Sequence, residues 1–356
     1  MNVLLAMSGG VDSSVAAKIL LDSGYNVTGA TMKLFSNDDI LLKNQTKTCC
    51  SLTDVQDARN VAYKLSIDHV VFNMTDRFKD EVVNRFIDAY INGKTPNPCI
   101  DCNTYIKFRA FLDRAELLDF DKIATGHYAV SEYDKSLNRW LLKRPVDINK
   151  DQTYVLYSMT QRQLSKTLFP LGKMTKQEVR KIADECGFVN ASKPDSQDIC
   201  FVPDGDYAAF IENYTGSKMK QGHFIDPDGN ILGTHNGIGR YTIGQRKGLN
   251  ISLGKPMYVF SKSVENNTVS IGEETYLYKS RLEAGCVNLI AMETIPSKMK
   301  VMAKTRYNQS PSLATVYQTE VDKITLEFDK PQRAITSGQS VVMYDNDVVV
   351  GGGIIK

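Results

Sequence analysis

The chain has 356 residues, 42% hydrophobic and 24% charged, with a formal net charge of +2. That suits a folded protein of two or three domains and excludes a global field that would draw in nucleic acid. No run of about 18 apolar residues exists, so no membrane-spanning helix is expected. The start MNVLLAMSGG has no basic segment or cleavage signal, so it does not read as secretory. Seven cysteines, an odd number, argue for a reducing, cytoplasmic setting and for thiols that do chemistry or bind metal. The charge is unevenly placed. Residues 139–193 carry eleven Lys/Arg against five Asp/Glu, residues 236–264 carry five cations and no acid, and residues 297–310 carry Lys298, Lys300, Lys304 and Arg306 with no acid. Each stretch can be ordinary solvated surface; together they suggest a face for a polyanion.

In chain order, strand-like runs at 2–7, 26–32, 69–74 and 122–126 alternate with helical patterns near 13–22, 53–66, 77–91 and 103–118. Alternation of this kind predicts right-handed crossovers and a doubly wound, mostly parallel α/β sheet. The pattern weakens after Tyr128, with helices expected near 152–165 and 175–186. From about residue 205 the texture turns Gly-rich and strand-like, with PDG and NDV marking hairpins. The expected layout is an α/β domain at 1–204, a small β-rich linker domain at 205–280 and a C-terminal antiparallel β-barrel at 281–356.

The stretch SGGVDSS, residues 8–14, ends the first strand and opens a helix. Gly9 and Gly10 allow backbone geometry and close approach that a Cβ would block. The helix N-terminus offers unpaired N–H groups to an anion, and Ser8, Ser13 and Ser14 add hydroxyls. The loop therefore reads as a phosphate site. The lysine of GxxxxGK[ST] and the glycines of GxGxxG are both absent. A pyrophosphate grip with Asp12 placed for Mg²⁺ suits cleavage between the α- and β-phosphates and an adenylated product. The loop resembles that of the N-type ATP pyrophosphatases, which activate an oxygen as an adenylate and let a nucleophile displace AMP.

Two thiol sites stand out: Cys99 and Cys102 in TPNPCIDCN, and Cys200 in SQDICF. Cys102 precedes the expected helix at 103–118, where the dipole would favour its thiolate and bring its pKa below about 8.5. Three readings stay open on residues alone: inert structural cysteines, a metal site, or sulfur chemistry. The metal site would be zinc on Cys49, Cys50, Cys99 and Cys102, or an iron–sulfur cluster on Cys99, Cys102 and Cys200. Sulfur chemistry would place a persulfide on one thiol and a resolving thiol nearby.

The ordered set SGGVDSS, MKLF, TPNPC-x-x-CN-x-x-IKF, TGHYA, KDQTYVLY, SQDICF, YTIGQRKGL and TRYNQ resembles the tRNA-specific 2-thiouridylase family across most of the chain. The resemblance implies an adenine nucleotide alpha hydrolase-like fold. It implies ATP-dependent 2-thiolation of the wobble uridine, U34, with adenylation of the C2 oxygen and sulfur from a cysteine persulfide. By resemblance Cys200 carries the persulfide, and Cys102 is the partner nucleophile able to form a disulfide with it. Ala6, Met7, Ser8, Gly9, Gly10, Val11, Asp12, Ser13, Met32 and Gly126 match the ATP site. Asn97, Pro98 and Cys99 match the segment at the target base, and His127, Lys150, Asp151, Gln152, Arg306, Tyr307 and Gln339 match tRNA contacts. The implied partners are tRNA and a cysteine desulfurase or sulfur-relay protein. One position departs: many members have NPD where this chain has Asn97-Pro98-Cys99, so an acid is missing beside the base. Two other classes share some of these features. One is an adenylating enzyme that uses ammonia or an amino acid on a small substrate. The other is a metal-stapled RNA-binding protein with a relic nucleotide loop.

Overall fold

The computed structural model describes residues 1–35, 52–194, 199–202, 204–251 and 254–356. Its first unit is a five-stranded parallel sheet. The strands are β1 (Asn2–Ala6), β2 (Asn26–Lys33), β3 (His69–Asn73), β4 (Lys122–Ala124) and, after a hairpin of β5 (Val130–Asp134) and β6 (Arg139–Lys143), β7 (Thr167–Leu168). The order across the sheet is β3-β2-β1-β4-β7. Val3, Leu4 and Leu5 in β1 are fully buried, as expected of a central strand covered on both faces, and this is why the run is continuously apolar. Helices Val11–Asp22 and Leu52–Lys64 follow β1 and β2. After β3 the chain is helical from Thr75 to Ile91, and again from Pro98 to Leu117, each with a π-helical stretch in the middle.

Two expectations need correction. The second long helix starts at Pro98, not at residue 103. Asn97 is its N-cap, with Oδ1 accepting from the Cys99 N–H at 3.1 Å, and Pro98 occupies the first helical position, where its missing N–H costs nothing. Cys99 therefore sits in the first turn and Cys102 one turn further in, so the end-of-helix argument made for Cys102 does not apply, because the dipole effect fades beyond the first turn. The helix expected at 152–165 is a 3-10 turn at Thr153–Leu156 and a short helix at Gln161–Ser165. Asp151 Oδ1 accepts from the Thr153 N–H and hydroxyl, a local turn that competes with helix. Tyr154 and Tyr157 then bond across to Ser340.

The second unit is a four-stranded sheet of Gly222–Ile225, Ile231–His235, Tyr258–Ser263 and Thr268–Gly272. The third is a closed antiparallel barrel of six strands: Tyr278–Leu289, Met299–Lys304, Ser312–Glu320, Lys323–Arg333, Ser340–Asp345 and Val348–Ile355. Pairing of the first with the last closes it. The PDG and NDV turns fall at hairpins, with Gly229 and Asn346 at positive φ. The β5–β6 hairpin leaves the first unit and joins the barrel edge, Lys143 pairing with Val348. No helix among the described residues is long and apolar enough to cross a membrane.

Candidate active site

The loop after β1, the end of β2 and the loop after β4 meet at the carboxyl ends of the parallel strands, where folds of this class bind ligands. Gly9 has φ +71°, and a Cβ there would sit 2.3 Å from the Asp54 carbonyl oxygen. Gly126 is as tightly placed: its Cβ would be 2.8 Å from the Ser13 nitrogen. Both glycines are thus demanded by packing as well as by any ligand. Ala6 is half-buried, and Met7, Val11 and Met32 are buried beneath the loop. Ser8 is exposed, Gly10 and Asp12 are half-buried, and Ser13 is buried. The hydroxyls of Ser13 and Ser14 donate to the Gly10 carbonyl at 3.0 and 3.1 Å. A hydroxyl has one proton to give, so these two brace the loop.

Asp12 is held by a residue that the motif does not contain. Lys176 Nζ lies 2.7 and 2.8 Å from its two carboxylate oxygens, and the Tyr128 hydroxyl donates to Oδ1 at 2.9 Å. Lys176 is the first residue of a helix whose Thr175–Glu178 capping box is plain in the sequence. Its reach back across 164 positions is not. A second clamp sits on the other side. Asn190 Nδ2 donates to the Gly9 carbonyl and to Ser14 Oγ, both at 2.9 Å. Lys193 Nζ pairs with Asp54 at 2.6 Å and Asp57 at 2.7 Å. Two cations from elsewhere in the chain thus flank the loop, each paired with carboxylates.

Cys102 is buried at 9% exposure, Cys200 is half-buried and Cys99 is exposed. Cys102 belongs to, and Cys200 packs against, one continuous hydrophobic cluster with Phe78, Phe86 and Phe201. The Phe201 ring meets Phe78 at 5.7 Å and Phe86 at 5.2 Å, edge on, which docks the Cys200 segment onto the helical run that begins at Thr75. Among the described residues no group of three or more His, Cys, Asp or Glu side chains is arranged to hold a metal ion. Cys99, Cys102 and Cys200 do not converge as three corners of an iron–sulfur cluster, so that reading does not fit this arrangement. Cys49 and Cys50, named for zinc, lie outside the described residues. Asp101 is the acid nearest the thiols in sequence. Burial pushes its carboxyl up to about 6; Arg85, at 3.8 Å, opposes the shift and Glu81 adds to it.

The segment that the resemblance puts at the target base is suspended from the barrel. Gln339 Nε2 donates to the Thr95 carbonyl at 2.8 Å and the Pro96 carbonyl at 3.3 Å, just before Asn97, Pro98 and Cys99. Arg306 Nη2 donates to the Ile243 carbonyl (2.9 Å), the Ala334 carbonyl (3.0 Å) and Thr336 Oγ1 (2.6 Å), tying the central unit to the barrel. Tyr307 is partly exposed, and its ring meets that of Tyr154 edge on at 5.9 Å. His127 is buried at 8% exposure, its Nδ1 2.8 Å from Thr125 Oγ1, between Phe108 and Phe169. Burial, helped by Lys107, holds its pKa well below the usual value, so it stands as a neutral imidazole. Gln152 accepts from the Tyr128 N–H at 2.8 Å. Asp151 is buried, with Arg144 Nε at 2.8 Å. Lys150 is half-buried at the end of a 3-10 turn. A continuous set of contacts thus runs from Asp12 through Tyr128, Gln152 and Asp151 to Thr153 and Tyr154. The sequence did not indicate Lys176, Asn190, Lys193 or the anchoring bond of Gln339.

Comparison with known proteins accounts for the whole chain. Residues 1–204 match the tRNA methyl transferase HUP domain, residues 208–273 the tRNA methyl transferase PRC-barrel domain and residues 279–355 the aminomethyltransferase beta-barrel domain. A tRNA-specific 2-thiouridylase MnmA of Acetivibrio thermocellus is 52% identical over 354 residues, covering 99% of each chain. Proteins of that name from Clostridioides difficile and Caldicellulosiruptor saccharolyticus are 51% and 53% identical, each covering 99% of this chain and 98% of its own. Among solved structures, a 4-thiouridine synthetase–RNA complex with bound ATP aligns over 60% of this chain and 50% of its own, with TM-score 0.38 and 19% identity, too distant a likeness to argue from. With half of its residues shared along its full length, the chain belongs to the tRNA-specific 2-thiouridylase family.

Proposed function

We propose that this protein is an ATP-dependent tRNA sulfurtransferase that converts the wobble uridine, U34, to 2-thiouridine and releases AMP and pyrophosphate. The observation that carries the proposal is full-length identity of about half to relatives named for that activity. The N–H groups of residues 9–13 grip the pyrophosphate end of ATP. Asp12 would hold Mg²⁺, which when bound neutralises phosphate charge, and Lys176 stays beside it as a fixed positive charge. The uridine C2 oxygen attacks the α-phosphorus and pyrophosphate leaves. The outer sulfur of a Cys200 persulfide then bonds to C2 as AMP departs. Cys102 attacks Cys200 Sγ, closing a disulfide and leaving sulfur on the base; an external thiol restores the pair. Burial of Cys102 keeps water from this step. Asn97, Pro98 and Cys99 border the flipped base, with His127 serving as a neutral group. Sulfur comes from a cysteine desulfurase or a relay protein, and the reaction belongs in the cytoplasm with its tRNA.

The test is to incubate the protein with tRNA, ATP and a sulfide source, and to analyse nucleosides by mass spectrometry while measuring AMP. Thiolated uridine with tRNA-dependent AMP supports the reading. AMP released with a small acceptor instead, or no AMP at all, overturns it.

A further inference from the structure

Most cations of the three basic stretches turn out to be engaged within the protein. Lys176 and Lys193 brace the nucleotide loop, Arg144 holds Asp151, Arg240 meets Glu212 at 2.8 Å and Lys300 meets Asp329 at 2.7 Å. Arg306, which the resemblance assigns to RNA, has Nη2 on three protein oxygens and a buried Nε without a partner. Its geometry is that of a latch between the central sheet and the barrel.

Lys304, two residues earlier, is built differently. It ends the strand Met299–Lys304 and is only 7% exposed. Its ammonium lies 5.8 Å from the ring centre of Tyr154 and 5.7 Å from that of Tyr307, rings that meet edge on at 5.9 Å. Among the described residues it makes neither hydrogen bond nor ion pair, yet the ammonium is not sealed from solvent. Asp151, whose charge favours the ammonium, already accepts from Arg144 and from the Thr153 N–H and hydroxyl. A buried ammonium with no acceptor weakens the fold, and ring faces return only part of that loss. Its partner is therefore an anion from outside. Tyr154, the other ring, donates to the Ser340 carbonyl, next to the Gln339 that holds Thr95 and Pro96, which places that anion near the segment that would meet the base.

We infer that Lys304, rather than Arg306, is the cation of the K-T-R-Y motif that receives a phosphate oxygen of the RNA backbone at the target nucleotide. The inference rests on the tRNA reading above. Tyr154 and Tyr307 hold the lysine stem in place before RNA arrives, and the ammonium then exchanges ring faces for an oxyanion. It is a positioning residue: it fixes the nucleotide, and the chemistry belongs to ATP and the thiols.

The test uses the full chain with Lys304→Met, Lys304→Arg and Arg306→Gln, and a fully thiolation-competent tRNA. For Lys304→Met the expected results are a KM for tRNA raised about tenfold, and a salt-dependence slope of tRNA binding shallower by about one. The KM for ATP should stay within about twofold and Tm should be unchanged or higher, because an unpaired buried charge is gone. Lys304→Arg should restore most of the slope. Arg306→Gln should lower Tm and leave the slope alone. An unchanged slope and KM for tRNA in Lys304→Met overturns the inference, as does a shift in the KM for ATP instead, which would assign the cation to nucleotide phosphate. If the unmutated protein thiolates no tRNA, it is the functional reading that fails, and binding to the same tRNA still tests Lys304.

Discussion

The two sides of the candidate active site are held by opposite means. The nucleotide side is braced by the unit that carries it: Gly9 is wedged on Asp54, Ser13 and Ser14 bond back to Gly10, and Lys176, Asn190 and Lys193 close in from the same domain. The base side is held from elsewhere: the segment before Asn97 hangs on Gln339 of the barrel, and Tyr154 and Tyr157 bond to Ser340. The Cys200 segment docks through aromatic edges onto Phe78 and Phe86 of the first unit. The first arrangement suits a rigid grip on pyrophosphate, whose geometry never varies. The second couples the thiols to the surface that would receive RNA, so that RNA seated on the barrel can set the position of the reactive loop.

The largest expected effect separates the two sides cleanly. Cys102→Ser and Cys200→Ser should each reduce thiolated uridine by about a thousandfold or more, because each thiol has a step of its own in the proposed transfer. A burst of pyrophosphate in the presence of tRNA should persist in both, because adenylation precedes the sulfur step. If that burst falls with thiolation, the sides are not separable and the comparison breaks. Cys99→Ala sharpens it: a large loss would make Cys99 a relay thiol, while full activity would leave it a bystander at the helix start.

A smaller loss, about a hundredfold in AMP release, is expected for Lys176→Met. The substitution keeps the apolar stem and removes the charge that orients Asp12, so the KM for tRNA should be unchanged. Measuring AMP release at saturating tRNA checks it. Gln339→Ala tests the opposite side: kcat for thiolation should fall about tenfold while the KM for ATP holds, since what is lost is the orientation of residues 95–97. Global stability should drop by only about 1 kcal/mol, the usual worth of a bond to a carbonyl.

That contrast also explains what could be read from the sequence. The parallel strands, the glycine loop and the helix beginning near Thr175 were legible because each depends on a local pattern. The barrel was legible from alternation and tight turns, though its closure by the Tyr278–Leu289 strand was not. The β5–β6 hairpin escaped because the strand it pairs with outside itself, among the described residues, lies in the barrel some two hundred positions away. The helix start at Pro98 was written in the sequence, as Asn-Pro, but the prolines read equally well as a stiff loop. Lys176 on Asp12 and Gln339 on Thr95 bridge 164 and 244 positions, and a lysine or glutamine carries no local mark of such a role. Lys304 looked like any surface cation; only its burial between Tyr154 and Tyr307 distinguishes it.

The smallest expected effect lies on the thiol side and concerns Asp101, whose carboxyl is pushed up to about 6 from 3.8 chiefly by burial. A carboxyl with a raised value in the folded state opposes folding once ionised. Stability from this group should therefore be intact below about pH 4, fall as pH rises toward 6, and level off above that. The shift of about two units corresponds to at most about 3 kcal/mol; because Arg85 lies at 3.8 Å and the side chain retains some exposure, about 1–2 kcal/mol is the expected share. Asp101→Asn should then raise stability near pH 8 by that amount and change nothing at pH 4, read by urea unfolding at both values. The carboxylate faces Arg85, whose guanidinium lies 4.7 Å over the Tyr105 ring, so thiolation should change by less than about threefold if Asp101 acts only through this packing. A loss of thiolation much larger than that, with stability improved as predicted, would instead make Asp101 the acid that Cys99 replaced.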